Sequence, residues 1–315
     1  MSLNKPIWKL RDWIDNKNLC HVNLCRNPKA LDFIKNNKIV INWYCLSSNE
    51  TAIELLLENV DKIDWNQFQL NTDDEAIKLM KKHINKINKI NLHNLCRNSN
   101  PKAIELLIEQ SRFINNIEWF IWQYISRNPA GIDIILKNPD NINWRQLSNN
   151  PSPIAIELLK KNPEKIDWYE LSANRNPDAM DILITKPNEI VWYLLSGNPN
   201  PKAIKILSEN KNKIDWVSLS GNPNAIELLK ANPDKINWSW LCLNSHPEAI
   251  ELLKQNQDKI VYRVFSKNPS IFELDYEAMR INNREIEEEL IKEVMKPYRV
   301  FKNPDYDYIE ELFGD

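Results

Sequence analysis

The chain has 315 residues, with 41 Lys and Arg set against 43 Asp and Glu for a formal net charge of −2. That balance leaves no cationic excess for a phosphate backbone, and no apolar run is long enough to cross a bilayer or to follow a basic start as a signal peptide does, so an intracellular protein is expected. Only 4 glycines accompany 18 prolines, which excludes Gly-rich phosphate loops and favours tightly turned, proline-punctuated elements.

In chain order, residues 1–20 place Ile7, Trp8, Leu10, Trp13 and Ile14 among charged residues, an amphipathic turn or two expected to cap the N-terminal end. From residue 21 to 272 one stretch of sequence recurs about eleven times, with the template A-I-x-L-L-x-x-N-P-x-K-I-[DN]-W-x-x-L-S-x-N-P. A period of roughly two dozen residues indicates a stack of small units, each burying its apolar face only against its neighbours. One landmark is a small residue, as at Ala30, Ala103, Ala155, Ala203, Ala225 and Ala249; the other is an aromatic, at Trp43, Trp65, Trp122, Trp144, Trp168, Trp192, Trp216 and Trp238. The aromatic decays to His21, Leu92 and Tyr262 in the other copies, and a degenerate last copy has Ile271 at the small position. From small residue to aromatic the interval is 13 in eight of ten steps, whereas the return interval is 9 or 11. One junction therefore accepts a two-residue insertion while the rest of the unit is rigidly packed.

Each unit reads as two helices. The longer has capping chemistry three residues before its small residue, at Asn27, Asn49, Asp73, Asn100, Asn128, Ser152, Asn176, Asn200, Asn222 and Asn268, with His246 departing from it, and proline usually follows. In the copy that starts at Asn222, Ala225, Ile226, Leu228 and Leu229 form the buried stripe and Asn232-Pro233 ends the helix. The second helix is a turn or so, α or 3-10, with Asp64, Asn143, Asp167, Asp215 and Asn237 as caps directly before the tryptophan. So short a helix melts in isolation, and the eight tryptophans are expected to hold it by filling the space between units. Strand-bearing leucine-rich repeats fit poorly, because no six-residue stretch alternates with period two. The expected fold is all-α, a solenoid of about eleven two-helix repeats of 22–30 residues. At 8 to 10 Å per helix layer it would form a curved rod on the order of 100 Å along its arc. Residues 273–315 then make a C-terminal region, with one longer helix from Glu273 to Met295 and a tail from Lys296 to Asp315 bearing Tyr298, Phe301, Tyr306, Tyr308 and Phe313. This region either hides the last stacking face or docks on another protein.

Catalytic and metal chemistry find little footing. Cys20, His21 and Cys25 lack a nearby fourth zinc ligand, and Cys25, Cys96 and Cys242 occupy a position filled by serine in most units, so they belong to different layers. The serines recur as a packing position, which singles out none as a nucleophile, and neither an enzyme, a metal nor a cofactor is expected. Nucleic acid is the alternative partner, since some helical arrays read one base per unit. Against it stand a row of carboxylates (among them Asp32, Glu54, Glu105, Glu157, Glu227 and Glu251) and a row of lysines (Lys62, Lys165, Lys213, Lys235 and Lys259), which together read as a solvated surface. The two residues between Trp and Leu differ in nearly every unit and include Tyr44, Tyr124, Arg145, Tyr169, Tyr193, Trp240 and Arg263. A constant frame with one variable outward position is how repeat proteins present a binding strip, so these seven residues are the candidate site for a protein partner.

The 24-residue unit with N-P between two short helices resembles the leucine-rich variant repeats, which implies a right-handed coil of alternating α- and 3-10 helices. Copies such as Ile166-D-W-Y-E-L-S-A-N and Asn232-P-D-K-I-N-W, with the opening Leu10-R-D-W-I and the closing Glu289-L-I-K-E-V-M-K-P-Y-R, resemble tandem repeat proteins encoded in many copies by giant DNA viruses of the mimivirus kind. That resemblance implies a viral source and this fold, with no settled activity and no catalytic residues to carry over; together with the variable strip it leads to the expectation of a non-enzymatic interaction scaffold in host cytoplasm, virion or viral factory.

Overall fold

The structure, a computed structural model, describes residues 6–86, 93–111 and 119–294. Its chain forms two compact units, Arg11–Ile271 and a second made of Met1–Leu10 with Phe272–Asp315. The first is an all-α repeat solenoid. One copy shows how the sequence builds it. Asp215 accepts a hydrogen bond from the Ser218 amide and starts a helix of five residues, Trp216–Ser220. Asn222 then caps a 3-10 turn, Pro223–Ala225, that runs into an α-helix, Ile226–Lys230. That helix stops at Asn232, whose Nδ2 donates to the Leu228 carbonyl at 2.9 Å, and Pro233 opens a second 3-10 turn, Pro233–Lys235. Leu219, Ala225, Ile226, Leu229 and Ile236 are buried; Leu228, expected in the stripe, is half-buried.

The two-residue insertion changes how the longer helix begins. Without it, the Asn six residues after the aromatic is itself the cap and the chain enters through a 3-10 turn, as at Asn49, Asn128 and Asn222. With it, a separate residue caps and proline opens the α-helix directly, as in Pro177–Leu183 after Asn176, Pro201–Glu209 after Asn200 and Pro247–Gln255 after His246. His246 keeps the capping chemistry, since its Nδ1 accepts from the Glu248 amide at 3.2 Å.

Counted from the aromatic, that Asn is present in all eleven units and is at most 6% exposed. Asn174 is typical. Its Nδ2 donates to the Ser148 and Asn150 carbonyls of the preceding unit at 2.8 and 3.0 Å, and its Oδ1 accepts from the Asn176 amide at 2.9 Å. The same three bonds recur at Asn49, Asn71, Asn98, Asn128, Asn150, Asn198, Asn222, Asn244 and Asn268. Each side chain thus satisfies two carbonyls of one layer and an amide of the next, which buried backbone demands. A second link runs beside it. The amide before the aromatic donates to the serine of the preceding unit, as from Asp215 to Ser196 Oγ at 3.0 Å and from Asn237 to Ser220 Oγ at 2.9 Å. Where cysteine replaces serine, sulfur accepts instead, from Asn42 to Cys25 and from Val261 to Cys242, both at 3.4 Å.

The ladder has no free end. Asn27 in the first unit donates to the carbonyls of Ser266 and Asn268 in the last, at 3.1 and 3.0 Å, and its Oδ1 accepts from the Lys29 amide. The Cys20 amide donates to Ser266 Oγ at 2.8 Å, so both links cross the seam. The Arg11 amide and Nε reach the Ile271 and Ser270 carbonyls at 3.1 and 2.8 Å, and the Trp13 ring lies 6.1 Å from that of Phe265. Residues 16–18 form a 3-10 turn, capped by Asp15, of the kind that precedes the aromatic in most of the described units, as at Val60–Lys62 and Pro233–Lys235. The open rod is therefore corrected to a closed ring, and part of the expected N-terminal cap, Arg11–Cys20, is a working piece of the array. Its stacking faces are hidden by each other.

In the second unit, strand β1 (Trp8–Leu10) pairs antiparallel with strand β2 (Phe272–Leu274), Lys9 opposite Glu273 with Nζ 3.6 Å from the carboxylate. The C-terminal helix starts later than expected, at Tyr276, because β2 takes the preceding residues and Asp275 caps the helix through the Ala278 amide at 3.0 Å; it runs to Val294. The aromatic tail from Lys296 lies outside the described residues, as does Leu92.

Candidate functional site

The seven candidate residues follow from the short helices. Each short helix is anchored by the buried Leu, Ile or Phe three positions after the aromatic, as with Leu171, Leu195 and Phe265, and at least one of the two intervening residues is left at the surface, whereas Cys45 and Glu170 are buried. Tyr44, Tyr169, Tyr193 and Trp240 are 45–50% exposed. Neighbouring units bring them together. The Tyr169 and Tyr193 hydroxyls are 2.6 Å apart with ring centroids at 6.2 Å, and this bond raises the Tyr193 phenol above its usual range. Gln67 Nε2 donates to the Tyr44 hydroxyl at 3.0 Å, and the Arg26 guanidinium sits 5.9 Å over the Tyr44 ring. Arg145 lies 3.7 Å from Asp167 and 3.9 Å from Glu170. Arg263 is exposed, its carbonyl accepting from Asn23 across the seam at 2.6 Å, and Tyr124 is half-buried beside Arg97, Arg127 and Gln146.

The tryptophans sit differently from the expectation. Trp43, Trp65, Trp122, Trp144, Trp168, Trp192, Trp216 and Trp238 are all half-buried, because the interior between layers is filled by the smaller Leu, Ile or, after Trp65, Phe three residues on. Five carry the ammonium of a lysine from the following unit over the ring: Lys62 on Trp43 at 5.0 Å, Lys86 on Trp65 at 5.4 Å, Lys165 on Trp144 at 4.4 Å, Lys235 on Trp216 at 4.7 Å and Lys259 on Trp238 at 4.4 Å. The indoles cover the edge of the core, and most of the lysine row acts as their lid. The carboxylate row is solvated as expected, in exposed pairs such as Lys202–Asp181 at 2.7 Å. Cys25, Cys96 and Cys242 are buried thiols in separate units; burial pushes Cys96 up to about 12, which removes thiolate reactivity at neutral pH.

A further row was not singled out in the sequence. The residue five positions after each aromatic is Arg26, Ser48, Leu70, Arg97, Arg127, Asn149, Ala173, Gly197, Gly221, Leu243 or Lys267, basic in four units and acidic in none. Six of these, from Arg127 to Leu243, line one groove of about 670 Å³ together with Arg175, Tyr193 and Trp240. Six successive positions converging on one groove are what the inner curve of the closed array provides, where neighbouring layers come closest. Arg127 confirms the crowding there by reaching Glu170, two units ahead, at 3.2 Å. Glu170 is 6% exposed and also accepts from Asn149 Nδ2 at 3.0 Å, so its charge is turned inward. Among the described residues neither Arg97 nor Arg175 has a carboxylate within ion-pair distance. Tyr193 and Trp240 belong to both the expected strip and this groove, so the two meet at those residues. No family model, curated protein or solved structure matches this chain.

Proposed function

We propose that this chain is a non-enzymatic scaffold that binds a protein partner along the variable strip and the inner groove. The supporting observation is the contrast between frame and surface. Eleven asparagines fix the backbone, while Tyr44, Tyr169, Tyr193 and Trp240, residue types favoured at interface hot spots, stay about half exposed on it. A preorganised surface of this kind loses little side-chain entropy on binding. The likeness to giant-virus repeat proteins extends the proposal to a partner in host cytoplasm, virion or viral factory. Nucleic acid is the competing partner, favoured only by the arginines of the groove.

The test is quantitative capture. The triple variant Tyr169→Ala, Tyr193→Ala, Trp240→Ala alters exposed side chains, so its melting should stay within a few degrees of the parent. A partner recovered from infected-cell extract with the parent chain and lost with the variant supports the scaffold reading. Equal recovery with both refutes the strip, and recovery abolished by nuclease in both refutes a protein partner.

A further inference from the structure

Resting on the scaffold reading above, we propose that the inner groove receives an extended peptide segment with acidic residues at one end and an aromatic or aliphatic anchor at the other. The groove is polarised. Arg127 stands at one end with Arg97 in the adjoining hollow, Arg175 follows two units further along, and the carboxylate that pairs with Arg127, Glu170, is buried against Asn149. A positive field therefore faces solvent there. At the other end Trp240 and Leu243 are 46% and 41% exposed. The Trp240 indole lies against Gly221, where a built Cβ would be 3.1 Å from its Cε3.

Between the ends the row along the floor holds Ala173, Gly197 and Gly221, nothing larger than a methyl at that position in three successive units, with Tyr193 and Ser218 of the same units also lining the groove and the Trp240 indole lying against Gly221. A ligand engaging both ends must cross that floor, and a main chain lying close to it is what missing side chains admit. Backbone passing over the floor, carboxylates on the guanidiniums and an apolar side chain against the indole account for all three parts of the groove. A single strand of nucleic acid fits them less well. It carries a phosphate at every nucleotide and needs cations along its path, yet past Arg127 the row is neutral at Asn149, Ala173, Gly197, Gly221 and Leu243, and Arg175 alone of the residues lining the groove in those units is charged.

The full chain is used to select from a random-peptide display library, and the enriched peptides are re-measured by fluorescence anisotropy. Two variants serve as probes: Arg97→Glu with Arg175→Glu, which inverts the basic end, and Gly197→Leu, which fills the floor. Gly197 accepts a side chain without backbone strain, its nearest contact from a built Cβ being Ser218 Cβ at 3.6 Å. Enriched peptides should share an acidic cluster and a separate apolar residue, and should bind each variant about tenfold more weakly or worse while the melting temperature is unchanged. Peptides without acidic residues that still lose binding to Gly197→Leu would overturn the acidic assignment and leave the scaffold reading standing. No enrichment at all would sink both. An oligothymidylate that displaces the peptides, with affinity falling steeply as salt rises, would transfer the groove to nucleic acid.

Discussion

Asn174→Asp tests the ladder with the smallest change of shape. The carboxylate keeps the acceptor that receives the Asn176 amide at 2.9 Å, but it replaces the amide group that donates to the Ser148 and Asn150 carbonyls at 2.8 and 3.0 Å. Both carbonyls lose their donor in a site 0% exposed, and an ionised oxygen now faces them. At about 1–3 kcal/mol for each stranded group, with the buried charge in addition, the loss is on the order of 3–6 kcal/mol at neutral pH. This is a large share of the stability of an ordinary domain. Protonation restores one donor. The folded-state pKa of the new carboxyl is thus raised above its unfolded value of about 3.9, the native state binds more protons, and stability relative to the parent falls as pH rises between those two values. Urea denaturation of both proteins from pH 4 to pH 8 should show a gap that narrows as the solution is acidified. Asn162→Asp, which forfeits a single bond to the Leu158 carbonyl at 2.9 Å, should lose only about 1 kcal/mol. A pH-independent gap, or a loss at Asn174 no larger than at Asn162, would refute the ladder as the main polar link between layers.

Three further outcomes are expected. Trp216→Ala should cost about 2–3 kcal/mol, below the range for a fully buried indole, and a double-mutant cycle with Lys235→Met should give a coupling of about 0.5–1 kcal/mol; zero coupling in urea melts would remove the lysine lid. Ser220→Cys should stay within about 1 kcal/mol of the parent, since Cys242 Sγ already accepts an equivalent bond, whereas Ser220→Ala leaves the Asn237 amide without its acceptor and should lose about 1–3 kcal/mol. Asn27→Asp removes the same donors as Asn174→Asp, but at the seam. Small-angle scattering should record a larger radius of gyration for it than for Asn174→Asp, with faster amide exchange in 20–30 and 262–271; matching profiles would mean that the seam is no weaker than any other junction.

Much of the unit was legible. The prolines, the Asp or Asn before each tryptophan and the apolar stripe define two short helices, and the structure has them where local chemistry put them, as at Trp216–Ser220 and Ile226–Lys230. The ladder was hidden by the choice of landmark. Aligned on the helix cap, Asn27, Asn49, Asn128, Asn222 and Asn268 look like caps while Asp73, Asn100, Ser152, Asn176, Asn200 and His246 appear to play their part in longer units. Counting six residues from the aromatic instead finds asparagine every time. The tryptophans were over-read because size and recurrence suggest the centre of a core, yet an indole exceeds the gap that Leu219 fills. Ring closure was out of reach, since it depends on a small rotation per unit summed over the whole array. The basic row escaped because its position also holds Ser, Leu, Asn, Ala and Gly, a mixture without pattern until curvature brings six members into one groove. Of the candidate site, the aromatic half was readable from variation within a fixed frame, and the arginine half was not.

Because Asn27 treats Ser266 and Asn268 as its predecessors, the number of modules is not free to drift. An open stack can lengthen by duplicating a module, since each new copy meets the same neighbours. A circle must distribute one complete revolution among its members. A twelfth copy, or a tenth, would leave the final asparagine pointing past its acceptors unless every wedge angle changed together. Copy number, bending per module and bore are therefore a single coupled quantity, and a mutation altering one junction is felt around the circumference.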